Sequence, residues 1–202
     1  GFPCQTRGLA NRLGQLFAQH KGGSVVDLDF IHQDFQRRLR EIPAQGMGLS
    51  VDIYTPDLFE LVNRLRERGL QPGYLEVFKA TTTAVTKVRW ELSDIPLAYH
   101  GEGLWITQPD VQMSPVFEQD LEEMVMQLNS LRSLWLNLEC ATKQMAGYSF
   151  GTYLPPLYTP LSARVVAGNI ELVQQAMDRQ AARADGTAPL FLLEMPHLTY
   201  FA

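Results

Sequence analysis

One feature constrains this chain more than any other. Short apolar runs recur along it, each closing on a residue that can bind a metal or move a proton. The runs are Tyr74-Leu75-Glu76, Pro96-Leu97-Ala98-Tyr99-His100, Trp135-Leu136-Asn137-Leu138-Glu139-Cys140 and Leu190-Phe191-Leu192-Leu193-Glu194. Longer stretches with helical spacing separate most of them. A strand covered on both faces is apolar throughout, so a charge at its last residue is costly unless it emerges into a site. A β/α barrel repeats that arrangement around its catalytic mouth.

The apolar spacing predicts helices over residues 7–20 and 28–41, broken by Gly22-Gly23-Ser24. Together they make an N-terminal helical extension, residues 1–45, ahead of a regular domain at 46–202. Strands are predicted over 48–54, 74–78, 97–100, 134–139 and 189–194. Thr55-Pro56-Asp57 reads as a helix start, with Thr at the cap and Pro at the first position, and Gly69 as its stop. Ser114-Pro115 opens a second helix, with Phe117, Leu121, Met124, Val125 and Leu128 inward. Thr159-Pro160 opens a third, with Val165, Val166, Ile170, Val173 and Met177 inward, and Asp185-Gly186 turns it into the last strand. Residues 81–90 fit neither period, and 141–158 reads as a long loop of the kind that is usually functional. Strand, helix, strand, helix at this spacing is an α/β pattern with parallel strands. The expectation is a partial (β/α)8 TIM barrel of about five parallel strands, plus the helical extension.

Hydrophobic content of 46% and charged content of 19% suit a globular protein with a real core. A formal net charge of −5 disfavours nucleic acid as partner. The longest basic run, Arg37-Arg38-Leu39-Arg40, reads as a solvated helix face. No stretch approaches the roughly 18 apolar residues of a membrane span. Cys4 and Cys140 are too few for a disulfide scaffold. These observations point to a cytoplasmic protein with reduced thiols.

His100 is the most informative single residue. It ends an apolar strand, and Gly101 and Gly103 after it let backbone or ligand approach closely. Alone it would read as a buried His bonded to a carbonyl. Glu76, Glu139 and Glu194 stand at equivalent positions on neighbouring strands, which favours a site. Singly, each Glu could serve as an ion-pair partner of Lys79, Lys87, Lys143 or Arg89. Together at one rim they repel unless a cation neutralises them or one is protonated. Carboxylates with imidazole suit zinc, iron or manganese. Cys140 reads first as a small buried residue and second as a thiolate ligand. Asp52, His197 and Tyr200 could approach the same mouth. Cys4 is given no role, and His20 and His32 read as surface residues of the extension.

Tyr99-His100-Gly101-Glu102-Gly103-Leu104, then Thr152-Tyr153-Leu154-Pro155-Pro156-Leu157-Tyr158-Thr159, then Leu192-Leu193-Glu194-Met195-Pro196 occur in that order. Their order and spacing resemble the multinuclear non-heme iron-dependent oxidative enzyme family, which has a xylose isomerase-like barrel. Its members show a Leu-His-Gly-Val-Gly-Leu strand end, a Ser-Glu-His strand end, an Asn-Asp-Leu-Leu-Pro-Leu-Pro-Tyr-Thr loop and a Leu-Leu-Glu-Asn-Pro strand end. The resemblance covers residues 48–202. It implies two or three iron ions at the barrel mouth, with His100, Glu139 and Glu194 matching metal ligands and Glu76 a carboxylate of strand two. It also implies dioxygen-dependent modification of peptide cysteines, with a partner protein that presents the peptide. The chain departs from the family at Cys140 in place of His, Thr152 in place of Asp, Met195 in place of Asn, and Phe78-Lys79 in place of a polar turn. Tyr158 falls in the matching loop. The family has about three further strands beyond this point, so the resemblance implies a fragment or a divergent, incomplete barrel. Two alternatives stand beside it. One is another metal-dependent enzyme of the same superfamily, such as a sugar isomerase or nuclease. The other is a degenerate barrel that binds a peptide or partner without catalysis.

Overall fold

Five parallel strands form one sheet in the order β1 (Gly48–Val51), β2 (Tyr74–Phe78), β3 (Leu97–His100), β4 (Trp135–Glu139) and β7 (Leu190–Glu194). The structure is a computed structural model and describes residues 28–54, 57–145, 147–180 and 189–196. The described helices are α1 (Leu28–Glu41), α2 (Leu58–Glu67), α3 (Thr82–Glu91), α4 (Pro115–Leu131) and α5 (Pro160–Gln180). Two further strands, β5 (Thr142–Met145) and β6 (Tyr148–Leu154), pair antiparallel in a sheet of their own. By internal contacts the chain divides into two units, the second beginning at Arg37. No helix among the described residues is long and apolar enough to cross a membrane.

Period-two alternation assigns the strand residues to two faces. Leu75, Val77, Leu97, Tyr99, Leu136 and Leu138 lie on one face and are fully buried. Helix α4 covers part of it, since the Tyr99 hydroxyl donates to Gln127 Oε1 on that helix at 2.9 Å. Val85 and Val88 of α3 and Met124, Val125 and Leu128 of α4 add to the core, as do Val166, Val173 and Met177 of α5. Each such side chain contributes roughly 1.5–3 kcal/mol by leaving water. The other face carries Gly48, Ser50, Tyr74, Glu76, Ala98, His100, Trp135, Asn137 and Glu139, a mostly polar set. At its base the Tyr74 and Trp135 rings meet edge to face, 4.9 Å between centroids. A Cβ on Gly48 would lie 2.2 Å from the Tyr74 ring.

Several elements differ from expectation. Strand one stops at Val51 because the Asp52 carboxylate accepts from the Tyr54 backbone N–H at 2.7 Å and bends the chain away. The cap of α2 is Asp57, whose carboxylate accepts from the N–H groups of Phe59 and Glu60, and not Thr55, which with Pro56 lies outside the described residues. Gly69 does follow the helix end, at φ +71°, with its N–H on the Arg66 carbonyl. Residues 82–91 are helical and capped by Thr81. Their Thr and Val residues are indifferent helix formers, and burial of Val85, Val88 and Leu92 decides the matter. The expected loop over 141–158 is largely the β5–β6 hairpin, with Gly147 at φ +83° near its tip. Ala-Gly is not among the dipeptides that mark tight hairpins, so this pairing was hard to read in advance. Nor is the Arg37–Arg40 run wholly solvated, because the Arg38 guanidinium makes a two-pronged pair with Asp178 of α5 at 2.7 and 2.9 Å. The predicted helix over 7–20 and the Asp185-Gly186 turn lie outside the described residues.

Gly48→Ala drives a methyl into the Tyr74 ring and pushes that ring off Trp135. We expect it to destabilise the protein by about 1–3 kcal/mol in chemical denaturation. An unchanged midpoint would show that the ring pair can shift without cost.

Candidate functional site

The strand register brings the predicted residues to one end of the sheet. His100 pairs in register with Phe78 on one side and Asn137 on the other, and Glu139 pairs with Glu194. Glu76 does not end its strand. It sits in the middle of β2, two residues before Phe78, and reaches the cluster because it lies on the same face. Gly101 follows His100 with its missing Cβ pointed at Met124 and Leu138. That glycine therefore serves strand–helix packing rather than close approach of a ligand. Gly103, at φ +90°, turns the loop beyond.

His100 lies between two carboxylates. Its Nδ1 is 3.3 Å from Glu76 Oε1, and its Nε2 is 3.4 Å from Glu139 Oε2. The residue is 3% exposed, and Nε2 is buried without a hydrogen-bond partner. The Glu139 contact is thus a charge pair whose angle falls short of a hydrogen bond. Burial works to lower the His100 pKa, but the contacts to Glu139 and Glu76 and their negative charge outweigh it and raise it to about 9. The His100 contact, working against burial, holds Glu76 below its usual range, helped by the imidazole's charge and by the Ser50 hydroxyl, which donates at 3.1 Å. Burial pushes Glu139 up, and the His100 contact and charge, with help from Tyr153, bring it below its usual range. The Phe78 ring packs on the imidazole at 4.6 Å.

Asn137 completes the group. Its Nδ2 lies 3.5 Å from Glu76 Oε2, 3.4 Å from His100 Nδ1 and 3.4 Å from Glu194 Oε2. Sequence reading passed over it, although a polar residue two positions before Glu139 on the same strand face was the available signal. Above the strand ends, the Tyr153 hydroxyl donates to Glu102 Oε1 at 3.5 Å, and the Lys143 ammonium sits 4.0 Å from the Tyr153 ring centre. The hairpin carrying both is tied down by Gln108, which donates to Thr142 Oγ1 at 3.1 Å and to the Gln144 carbonyl at 2.5 Å. Buried Asn169 of α5 in turn donates to the carbonyls of Ile106 and Gln108.

The remaining candidates separate. Cys140 is buried and free, its thiol pushed up by burial, and its backbone N–H bonds the Glu194 carbonyl at 2.7 Å. Asp52 is exposed and engaged with Tyr54. Thr152 and Tyr158 are exposed beyond the cluster, as is His32 on α1. His197, Tyr200, His20 and Cys4 lie outside the described residues. The bland ion-pair reading of the carboxylates loses two partners. Lys79 pairs with Glu123 and Asp120 of α4, and Lys87 lies over the Phe59 ring.

Donor chemistry fits a transition metal, with one imidazole and carboxylates around it. Among the described residues no three such groups are already placed to share an ion, since His100 faces its two carboxylates directly. The fold and site define an α/β protein whose parallel strands gather a histidine and three carboxylates on one face. No protein-family model matches the chain, and no curated protein matches it. Among solved structures, the TTHB071 protein from Thermus thermophilus, described as soaked with ZnCl2, is similar at 18% identity and a TM-score of 0.48. The match covers 75% of this chain and 56% of that one, so the chain spans little more than half of that structure.

A His pKa raised to about 9 stabilises the fold fully below the unfolded value near 6.5, and that stabilisation is lost as pH rises through 9. Chelator-treated protein should therefore lose stability on the order of 3 kcal/mol between pH 6.5 and 9.5, read from denaturation midpoints. His100→Gln should remove that slope. A wild-type midpoint flat across this window would contradict the imidazolium assignment.

Proposed function

We propose that this chain carries part of a (β/α)8 barrel and acts as a metal-dependent oxidative enzyme, with iron held at the strand ends and a peptide cysteine or related thiol as substrate. The observation that carries the reading is buried His100 between Glu76 and Glu139, with Nε2 facing Glu139 without a hydrogen bond and Glu194 joined through Asn137. His100, Glu139 and Glu194 would hold the ion, with Glu76 beside them. Iron there would supply dioxygen activation and a Lewis-acidic position for sulfur. The chain's own part is to present imidazole and carboxylates on rigid strands. His100 must shed its proton to ligate, so uptake exchanges a proton for a cation inside an acidic cluster. Asn137 orients the carboxylates by donating to Glu76 and Glu194.

A peptide rather than a small molecule is supported by the exposed side chains of the hairpin and the segment after it. Tyr148 and Phe150 of β6, with Leu157 and Tyr158 after it, are exposed large side chains, and exposed apolar groups that form a patch favour macromolecular binding. The free thiol of Cys140 supports a reducing, cytoplasmic setting. A presenting partner protein follows from the family resemblance. One observation favours the degenerate reading as runner-up. At the family's further His and Asp positions stand a buried cysteine and an exposed threonine, so peptide binding without turnover is the second hypothesis.

Purified protein should contain iron by elemental analysis, and His100→Ala should lose at least about tenfold of it. Dioxygen uptake with a cysteine-containing peptide should depend on that iron. Activity with manganese or zinc and no dioxygen uptake would move the protein to the isomerase-like class. Metal content indifferent to His100→Ala would end the metal reading.

A further inference from the structure

We propose that the Asn137 amide competes with a metal ion for the carboxylates of the cluster, so that an ion enters only by displacing it. The inference rests on the metal reading above and gives Asn137 a role that opposes uptake. Strand β4 lies between β3 and β7, and Asn137 pairs in register with His100 on one side and Leu192 on the other. Its carbonyl accepts from the Gly101 N–H at 2.9 Å. The backbone is therefore fixed, and only the side-chain torsions are free to change. From that place Nδ2 reaches Glu76 Oε2 on β2 at 3.5 Å and Glu194 Oε2 on β7 at 3.4 Å, with His100 Nδ1 of β3 at 3.4 Å. One nitrogen thus stands among the imidazole and two of the carboxylates, each from a different strand.

With the amide in place, each Glu76 oxygen already has a partner. Oε1 faces His100 Nδ1 at 3.3 Å and accepts from the Ser50 hydroxyl at 3.1 Å, and Asn137 takes Oε2. An oxygen so engaged has to be given up before an ion can use it. Nδ2 carries two hydrogens, enough for the two carboxylates and not for a third acceptor. Both contacts are longer than the about 2.7–3.2 Å of a well-made N–H···O bond, and the amide carries no net charge. It therefore holds the oxygens weakly against a divalent cation, whose charge attracts both at once. The bonds that orient Glu76 and Glu194 are the ones an ion must break.

Asn137→Ala removes the competitor and keeps the histidine and all three carboxylates. The test titrates cobalt(II) into chelator-stripped full chain and follows the visible ligand-field bands. We expect Asn137→Ala to bind cobalt about five- to tenfold tighter than wild type, because the ion no longer has to break hydrogen bonds to charged groups. Stripped Asn137→Ala should melt below stripped wild type, and saturating cobalt should narrow that gap. Asn137→Ser, whose hydroxyl is too short to span both carboxylates, should shift the affinity in the same direction, and it carries the test if the alanine variant does not fold. Equal or weaker cobalt binding in either folded variant overturns the proposal and leaves the metal reading intact, since an amide that only supports the ligands would weaken binding on removal. Cobalt uptake by neither wild type nor variant overturns both.

Discussion

Everything at the candidate site depends on the period-two alternation of a parallel sheet. Because successive side chains point to opposite faces, one face can be fully apolar under helices while the other gathers polar groups. Leu75, Val77, Tyr99, Leu136 and Leu138 occupy the first face, and Glu76, His100, Asn137 and Glu139 the second. A slip of one residue in any strand would exchange the sets and bury carboxylates beneath helices. The hydrophobic core and the polar cluster are therefore specified by the same register, and neither can be changed alone.

The cluster also shows why buried charge persists here. Taking carboxylates and an imidazole out of water is costly. Glu76 and Glu139 recover part of it by sharing one imidazolium, which favours the charged form of both carboxylates and is itself kept charged by them. Their negative charge outnumbers that of the single histidine, and Lys143 stands above as a more exposed cation. Under the proposed metal reading, a cation of higher charge would relieve the same repulsion more fully in exchange for the His100 proton.

Much of this was legible in the sequence. The strands at 74–78 and 97–100 and the helix starts at Ser114 and Pro160 followed from apolar spacing and caps, which are local signals. What was not legible depended on tertiary context. Helix α3 is written in β-branched residues and is decided by the burial of Val85 and Val88. The hairpin at 142–154 lacks a strong turn dipeptide. Glu76 was grouped with the strand-end residues although the predicted strand runs on through Val77-Phe78, and it joins them because it lies on the same face. Asn169 and Gln127 were missed for one reason. A buried amide is identified by what it bonds, and a lone sequence does not state its partners. Gln127 is fully buried yet satisfied, donating to the Ala80 carbonyl and accepting from Tyr99.

Asn137 bears on the departures from the pattern of the proposed family. An expected histidine is replaced by Cys140, which lies past the strand end, buried, with its N–H committed to the Glu194 carbonyl. The groups in contact at the strand ends do not include it. They are His100, the carboxylates and the Asn137 amide, which donates where a cation would otherwise be needed. An amide cannot neutralise charge, but it can fix the orientation of two carboxylates at modest desolvation cost. The cluster can thus stay ordered without a metal, and under the proposed reading uptake of one would depend on how readily His100 gives up its proton between Glu76 and Glu139.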